Sequence, residues 1–103
     1  MRHVLRALAE PKRLTILKLV RSRERAAGEI ASRFKTTRPA ISQHLRVLVN
    51  AGLLSERREG TRRLYRLRPE GFQDLRAFLN AFWDHALAHL KSQAEREARS
   101  RRG

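Results

Sequence analysis

The sequence predicts a mainly helical α+β domain with five helices and one two-stranded β-hairpin. Apolar residues recur at helical spacing along most of the chain, which favours helices. Residues 53–57 and 62–67 instead have the pattern of two short strands joined by a turn at Glu59-Gly60. The 103 residues are enough for one domain with a modest core.

The large apolar residues end near residue 91, and this sets the predicted domain boundary. We expect residues 1–91 to form the domain. Residues 92–103 have no large apolar side chain to bury and carry several arginines. They are therefore predicted to form a basic C-terminal tail, either a frayed helix end or a disordered segment.

The first three predicted helices are short and amphipathic. The first begins within the opening residues, and the second starts at Pro11, since proline is tolerated in a first helical turn and disruptive inside a helix. The third covers residues 27–34, where Ile30 and Phe34 lie four apart and so share its core side. The segment 22–25 is interpreted as a polar connector.

The fourth helix has the clearest start and end signals. The Thr37 hydroxyl can accept a hydrogen bond from a free backbone amide of the first turn, and Pro39 needs no amide partner there. Gly52 ends the helix, because glycine adopts a left-handed turn without strain. One apolar stripe at i, i+4 and i+7 faces the core: Ile41, Leu45 and Leu48. With the third helix and the turn at 35–36, it predicts a helix-turn-helix.

The second helix of a helix-turn-helix enters the major groove of DNA, where its N-terminal residues meet base edges. Arg38 can form a two-pronged bond with guanine, Gln43 can pair with adenine, and Ala40 can pack on a thymine methyl. The hydroxyls of this helix and Arg46 suit phosphate contacts. The predicted contacts are Thr37, Arg38, Pro39, Ala40, Ser42, Gln43 and Arg46. The alternative is an ordinary solvent-exposed helix face.

The predicted hairpin is strongly basic. Six arginines lie within residues 57–68, with Glu56 and Glu59 as the only acids beside them. An anionic partner would compensate so much like charge, and a hairpin wing beside a helix-turn-helix can place arginines along DNA. We therefore predict DNA contacts from Arg57, Arg58, Arg62 and Arg63. A solvated charged hairpin is the alternative.

The charge balance of the whole chain indicates the same class of partner. Lysine plus arginine number 24 against 10 acidic residues, a formal charge of +14, so a polyanion is expected. No apolar stretch is long enough for a membrane, and helix-like sequence from the start leaves no room for a signal peptide. We expect a cytoplasmic, nucleoid-associated protein.

Signals of catalysis are missing from the sequence. The chain contains no phosphate-binding glycine loop, nucleophile elbow or carboxylate cluster, so an enzyme is not expected. Cysteine is absent as well, which excludes a disulfide framework and a thiolate metal site. No cofactor is predicted.

The last predicted helix, starting at Pro69, carries four of the six aromatic residues on a wide apolar band. A single small domain has no inner surface left for this band, so we expect a second copy to cover it. The predicted dimer contacts lie in the first and last helices: Val4, Leu5, Leu8, Phe72, Leu75, Leu79, Phe82, Trp83, Ala86 and Leu90. A ligand cavity lined by these rings is the alternative.

Two histidines on the same helix are weak candidates for a metal site. His85 and His89 lie four apart, a spacing that can chelate zinc with Asp84 nearby. The remaining ligands would have to come from His3 or from a partner chain. Structural or solvated histidines are the more frequent outcome, and no metal is predicted.

Four runs in this order resemble the ArsR/SmtB repressors: Ala9–Leu17, Ile41–Leu48, Ala51–Leu54, and Arg58–Gly60 continued by Tyr65–Leu67. The resemblance covers nearly everything from Val4 to Leu90. It implies a winged helix-turn-helix homodimer in which the first and last helices form the dimer contact. It also implies repression of a nearby operon, usually including the repressor's own gene.

The chain departs from the metal-sensing members of that family. It lacks their cysteine pair near the recognition helix, and Asp84-His85 with His89 does not reproduce their Asp-x-His and His-x-x-Glu ligands. Glu10 stands where the family often has aspartate before proline. The run 82–84 resembles the metal-independent branch, which includes autorepressors without a recognised inducer.

The sequence thus predicts a homodimeric repressor that binds a palindromic operator in double-stranded DNA, regulates its own gene and needs no metal. Two alternatives stay open. One is a sensor whose last helix binds a small molecule or a metal through His85 and His89. The other is a protein that binds nucleic acid without sequence preference, which the charge alone would allow.

Overall fold

The computed structural model describes residues 1–102 and confirms the five helices and the hairpin. The elements in chain order are α1 (Arg2–Leu8), α2 (Pro11–Val20), β1 (Arg25–Ala26), α3 (Ala27–Ala31), α4 (Arg38–Asn50), β2 (Leu54–Glu59), β3 (Arg62–Leu67), a 3₁₀ turn (Pro69–Phe72) and α5 (Gln73–Arg102). The chain divides into two compact units, Met1–Gln73 and the residues from Asp74 onward.

Side-chain caps fix where α2 and α4 begin. Before Pro11, the Glu10 carboxylate accepts hydrogen bonds from the backbone amides of Lys12 at 2.7 Å and Arg13 at 3.2 Å. The Thr37 hydroxyl accepts one from the amide of Ala40 at 3.3 Å. These bonds satisfy amides that have no partner inside a helix. The predicted cap at Thr37 is confirmed.

Helix α4 lies across the core of the first unit. Its predicted inward stripe is confirmed, since Ile41, Leu45 and Leu48 are each at most 1% exposed. The helix ends as predicted at Gly52, which has φ of 80°. Gly71 packs directly on this turn: a Cβ at position 71 would lie 2.0 Å from the carbonyl oxygen of Gly52. Only a residue without a side chain fits there.

The sheet has three antiparallel strands in the order β1-β3-β2. The predicted hairpin is therefore extended by β1, in which Arg25 pairs with Tyr65 and Ala26 with Leu64. Arg25 was predicted to lie in a polar connector, because two residues are too few to show the alternation of a strand. Strand β2 starts one residue later than predicted and continues to Glu59.

The register divides the hairpin side chains between two faces. Glu56 pairs with Tyr65 and Arg58 with Arg63, whereas Arg57 pairs with Leu64. Paired residues point to the same face, and neighbours along a strand point to opposite faces. Glu56, Arg58, Arg63 and Tyr65 thus share one face of the hairpin. Arg57 lies on the other.

The core of the first unit joins α1, α2 and α4 to the sheet. Its largest fully buried side chains are Ile16, Val20, Ile30, Ile41, Leu45, Leu48, Leu53 and Leu54. Val4 belongs to this core, being only 9% exposed, whereas Leu5 is 50% exposed. Helix α1 has apolar residues on two sides, and Val4, one of the predicted dimer contacts, lies on the inner side.

Helix α5 continues through residues 92–102, where the sequence analysis expected a frayed end or a disordered tail. Of these two alternatives, the described residues form a helix end, and Gly103 lies outside them. Arginine and glutamate are good helix formers, so a helix can continue here without apolar residues. Pro69 starts the 3₁₀ turn, four residues before α5 begins at Gln73. No helix within residues 1–102 is long and apolar enough to cross a membrane.

Candidate nucleic-acid interface

The outer face of α4 is polar and open to solvent. Arg38, Pro39, Ser42, Gln43 and Arg46 are all exposed, and their spacing places them on one side of the helix, opposite the buried stripe. The structure therefore brings these five predicted contacts together. Thr37, just before them, is exposed as well, while Ala40 is half-buried.

His44 lies on the opposite side of α4 from Ser42 and Arg46 and packs against the start of α2. Its Nδ1 is 3.1 Å from Nη1 of Arg13, and its Nε2 is 4.0 Å from the Glu10 carboxylate. Arg13 also donates to the carbonyl oxygens of Ala7 and Arg6, at 2.7 Å and 3.1 Å, at the end of α1. These contacts hold the first turn of α2 against α1 and α4.

A basic cleft separates α4 from the hairpin formed by β2 and β3, which we call the wing (residues 54–67). The cleft has a volume of about 580 Å³, and its lining includes Arg38, Ser42, Arg62, Arg63 and Tyr65. A second groove of about 310 Å³ runs along the same side of α4, past Arg46 and Asn50. Three guanidinium groups in one concave site favour an anionic occupant.

Arg38 takes part in this cleft as well as in the outer face of α4. Its guanidinium lies against the first turn of α3, where Nη2 is 3.5 Å from the position that a Cβ on Gly28 would occupy. Glu29, in the same cleft wall, is bound by Arg25 at 2.7 Å and Arg23 at 3.3 Å. The Glu29 charge is thus balanced within its own segment, and the cationic groups of the cleft are Arg38, Arg62 and Arg63.

Tyr65 is a site residue that the sequence analysis missed. It is 4% exposed and lines both the cleft and the neighbouring groove. Burial and the nearby carboxylate of Glu56 raise the pKa of its hydroxyl, which therefore stays protonated and can donate a hydrogen bond. The signal available in the sequence was a single polar aromatic residue inside a strand.

The four predicted wing arginines differ in their ion pairs. Arg57 donates two hydrogen bonds to the Glu24 carboxylate, at 2.9 Å and 2.7 Å, and lies 3.2 Å from the Glu59 carboxylate. Arg63 is 3.9 Å from Glu56. Within residues 1–102, Arg58 and Arg62 have no ion pair. Arg57 is thus firmly paired, whereas Arg58 and Arg62 are available to an anion. Arg63 has a single, longer ion pair and is intermediate.

The carboxylates beside β1 also escaped the sequence analysis. The hydrogen bond from Arg57 lowers the pKa of Glu24, and the hydrogen bond from Arg25 lowers the pKa of Glu29. Both carboxylates therefore keep their charge to a lower pH than an unpaired glutamate does. Nothing in the local sequence marks Glu24 as a partner of a residue 33 positions away.

The predicted dimer contacts other than Val4 are distributed as follows. Leu5, Leu79, Phe82, Trp83 and Leu90 are exposed, and Leu8, Phe72, Leu75 and Ala86 are half-buried. On α5 the rings of Phe78 and Phe82 stack with centroids 6.2 Å apart. The second unit thus carries an apolar surface that its own residues leave uncovered.

The metal candidates lie on the same helix. His85 and His89 are both exposed, as is Asp84. Residues 1–102 contain no group of three histidine, cysteine, aspartate or glutamate side chains arranged to hold a metal ion.

An exposed polar helix face, a helix-turn-helix and a basic wing define the class: a winged helix-turn-helix domain. Solved structures with this fold support the assignment. A possible transcriptional regulator for arsenical resistance aligns with a TM-score of 0.70 at 43% identity, covering 82% of this chain and 93% of that one. The homodimeric winged helix-turn-helix DNA-binding domain Mb0332 from Mycobacterium bovis aligns with a TM-score of 0.64 at 38% identity, covering 85% and 82%.

Sequence comparison identifies the family. Residues 10–56 match the family described as bacterial regulatory protein, arsR family. The HTH-type transcriptional regulator Rv2034 of Mycobacterium tuberculosis is 44% identical over 81 residues, 79% of this chain and 76% of its own length. The transcriptional repressor SdpR of Bacillus subtilis is 36% identical over 74 residues, 72% and 82%. The chain belongs to the arsR family of bacterial regulatory proteins. It is a DNA-binding transcriptional regulator and not an enzyme.

Proposed function

We propose that this protein is a homodimeric repressor that binds a palindromic operator with sequence preference and controls its own gene. The observation that carries the proposal is the position of the α4 outer face beside the basic cleft of the wing. One surface reads base edges and the other binds the sugar-phosphate backbone. Both are needed for a regulator that selects one site among many.

Helix α4 serves as the recognition helix in this proposal. Its exposed residues start at its N-terminus, the end that enters the major groove in helix-turn-helix proteins. Gln43 offers the amide pair that matches adenine, and Arg38 offers the fork that matches guanine. Pro39 and Ala40 add small apolar contacts. The buried stripe behind them fixes the helix, so these side chains approach DNA at a set angle.

The wing supplies affinity. Arg62 and Arg63 line the cleft beside α4, and Arg58 shares the hairpin face of Arg63 by register. Their charges suit phosphates on the strand that passes between α4 and the wing. Ser42 and Tyr65 add hydroxyl donors in the same cleft. This arrangement favours a DNA backbone over a small neutral ligand.

A dimer provides two such surfaces. The exposed apolar residues of α5, with Phe82 and Trp83 each 62% exposed, supply the contact. Burying them contributes about 25 cal/mol per Å² before the costs of association. Leu5 of α1, in the first unit, is exposed as well and is a separate candidate contact. The structural similarity to the homodimeric domain Mb0332 supports the proposal of a dimer. Two-fold symmetry then places two α4 helices on half-sites about one duplex turn apart.

Metal is not needed for this function. The 103 residues contain no cysteine, so the chain provides no thiolate ligand. Repression by occupancy needs only an operator that overlaps a promoter. We therefore propose a repressor that acts without a metal cofactor.

The test is a footprint of the purified protein on the DNA upstream of its own gene. We expect protection of one imperfect palindrome, with two protected half-sites related by two-fold symmetry. Sedimentation at the same protein concentration should show a dimer. A duplex with one half-site scrambled is the matched control. Uniform protection along the fragment, or equal affinity for the scrambled duplex, would contradict the proposal.

A further inference from the structure

An ion pair joins the wing to the segment that precedes β1. The guanidinium of Arg57 donates through Nε and Nη2 to the two oxygens of Glu24, at 2.9 Å and 2.7 Å. Such a two-pronged bond fixes the relative orientation of both side chains, which a single bond does not. The partners lie 33 residues apart in the chain. The bond therefore links two segments of the domain.

The sheet order shows what this link spans. Strand β3 lies between β1 and β2. Glu24 directly precedes β1, and Arg57 lies in the middle of β2. The pair therefore bridges the outer strand of the wing to the start of the helix-turn-helix, across β3. Beyond residue 57 the wing has few buried side chains, since positions 58–63 are all exposed. The ion pair at Arg57 thus lies where the packed part of the wing ends and its exposed tip begins.

Register separates Arg57 from Arg63 and Tyr65 of the cleft, whereas Arg62, near the tip of the wing, pairs with Glu59 on the face of Arg57. Arg57 pairs with Leu64, whereas Arg58 pairs with Arg63, which lines the cleft against α4. Alternation along β2 places Arg57 on the hairpin face opposite Arg63 and Tyr65, and Arg57 is not among the residues that line the cleft. Its side chain is also bound by Glu59 at 3.2 Å. A guanidinium that lies outside the cleft lining and already has two carboxylate partners is poorly placed to bind a phosphate.

We propose that Glu24 and Arg57 form a positioning pair, which sets the angle of the wing against α4 while Arg57 itself makes no contact with DNA. The inference rests on the proposed function, because wing angle matters only to a protein that binds DNA. It replaces the predicted role of Arg57 and assigns one to Glu24. The pair contributes little to folding, since its side chains are 55% and 28% exposed. Its effect is on geometry at the cleft.

A charge-swap experiment tests this inference. The variants are Arg57→Glu, Glu24→Arg, and the double variant that reverses the pair. Binding is measured by fluorescence anisotropy, from low to moderate salt, on the duplex of about 30 base pairs that covers both half-sites of the protected palindrome. A mixed-sequence duplex of equal length serves as the second probe. Far-ultraviolet circular dichroism verifies the fold of each variant.

We expect the single substitution to weaken DNA binding and the reversed pair to restore it. Arg57→Glu places three carboxylates together and should weaken binding about tenfold. The double variant restores an opposite-charge pair and should return the affinity to within about threefold of the original protein. The neutral variant Arg57→Met should weaken binding by about threefold and leave the slope of log affinity against log salt unchanged.

Arg58 provides the matched control. It is the next residue of β2 and has no ion pair within the described part of the chain. Arg58→Glu should also weaken binding, but adding Glu24→Arg should not restore it. Equal rescue at both positions would show that Glu24→Arg acts through net charge alone, and would overturn the inference.

Two further results would overturn it. In the first, the reversed pair binds as weakly as Arg57→Glu. In the second, Arg57→Met lowers the salt slope by about 0.9, the value for one lost phosphate contact. If the original protein binds neither duplex, the proposed function fails first and this inference falls with it. If the original protein binds and rescue fails, only the inference is wrong.

Discussion

Helix α4 and the wing border the same cleft but are held by different forces. Three side chains of α4, at positions 41, 45 and 48, are almost completely buried, so hydrophobic packing fixes the helix. The outer part of the wing is exposed, and strand pairing and ion pairs orient it instead. A surface that reads bases needs a rigid support, whereas a surface that follows a backbone can tolerate small adjustments. The difference predicts distinct responses to mutation, salt and pH.

Leu45→Ala should have the largest effect on the protein. Leu45 is 1% exposed in the middle of the buried stripe, so truncation leaves a cavity and should lower the free energy of unfolding by about 2–5 kcal/mol. Urea denaturation followed by circular dichroism measures this. Arg46→Ala, one residue along on the exposed side, is the control, with an expected change within about 0.5 kcal/mol. Equal destabilisation by both variants would contradict the packing argument.

Gln43→Ala should separate base reading from stability. Gln43 is exposed on α4, so we expect a stability change within about 0.5 kcal/mol. Preference for one base pair should fall by about 1–3 kcal/mol, while affinity for mixed-sequence DNA stays nearly constant. Selection from a randomised operator library measures both quantities. An unchanged selected sequence would show that Gln43 is not a base contact.

Arg62→Ala should weaken DNA binding without changing the preference for particular bases. Arg62 lines the cleft and has no ion pair among residues 1–102, so its charge is available to a phosphate. Its removal should weaken binding to all sequences alike and reduce the salt slope by about 0.9. Titrations on operator and mixed-sequence duplexes at several salt concentrations measure this. A change in base preference would place Arg62 at a base edge instead.

These contrasts also explain which features the sequence could predict. The cap at Thr37, the stripe of α4 and the turn at Gly52 are local patterns, because each depends on residues within one or two helical turns. The polar face of α4 follows from the same periodicity. The matching of these elements in order was enough to predict the helix-turn-helix and the hairpin.

Features that depend on distant residues could not be predicted. Strand β1 exists only because β3 is beside it, and two residues carry no alternation of their own. The pairing of Glu24 with Arg57 requires the sheet order, which the sequence pattern does not contain. The apolar residues of α1 cover more than one side, and only packing against α4 shows that Val4 lies on the inner side and Leu5 on the outer one. Each of these features involves tertiary contact rather than local preference.

The smallest expected effect is that of acid. As the pH falls, the wing should lose order before α4 does. Ion pairs with Arg57 and Arg25 lower the pKa of Glu24 and Glu29 below their ordinary value of 4.5. A lowered folded-state pKa means that the stabilising charge is fully present above the unfolded value and is lost as pH falls through the folded value. Wing order should therefore be constant above about pH 5 and decline below pH 4.5.

Amide hydrogen exchange can locate this change. At low pH, protection corrected for the intrinsic rate should decrease in β1 and in the part of β2 around Arg57, while amides of the α4 stripe stay protected. Glu24→Gln should already show the lowered wing protection at neutral pH and little further decline with acid. If α4 and the wing lose protection together in the unaltered protein, then a single cooperative core holds both. The wing would then have no separate electrostatic support, and salt and pH would act on it only through global unfolding.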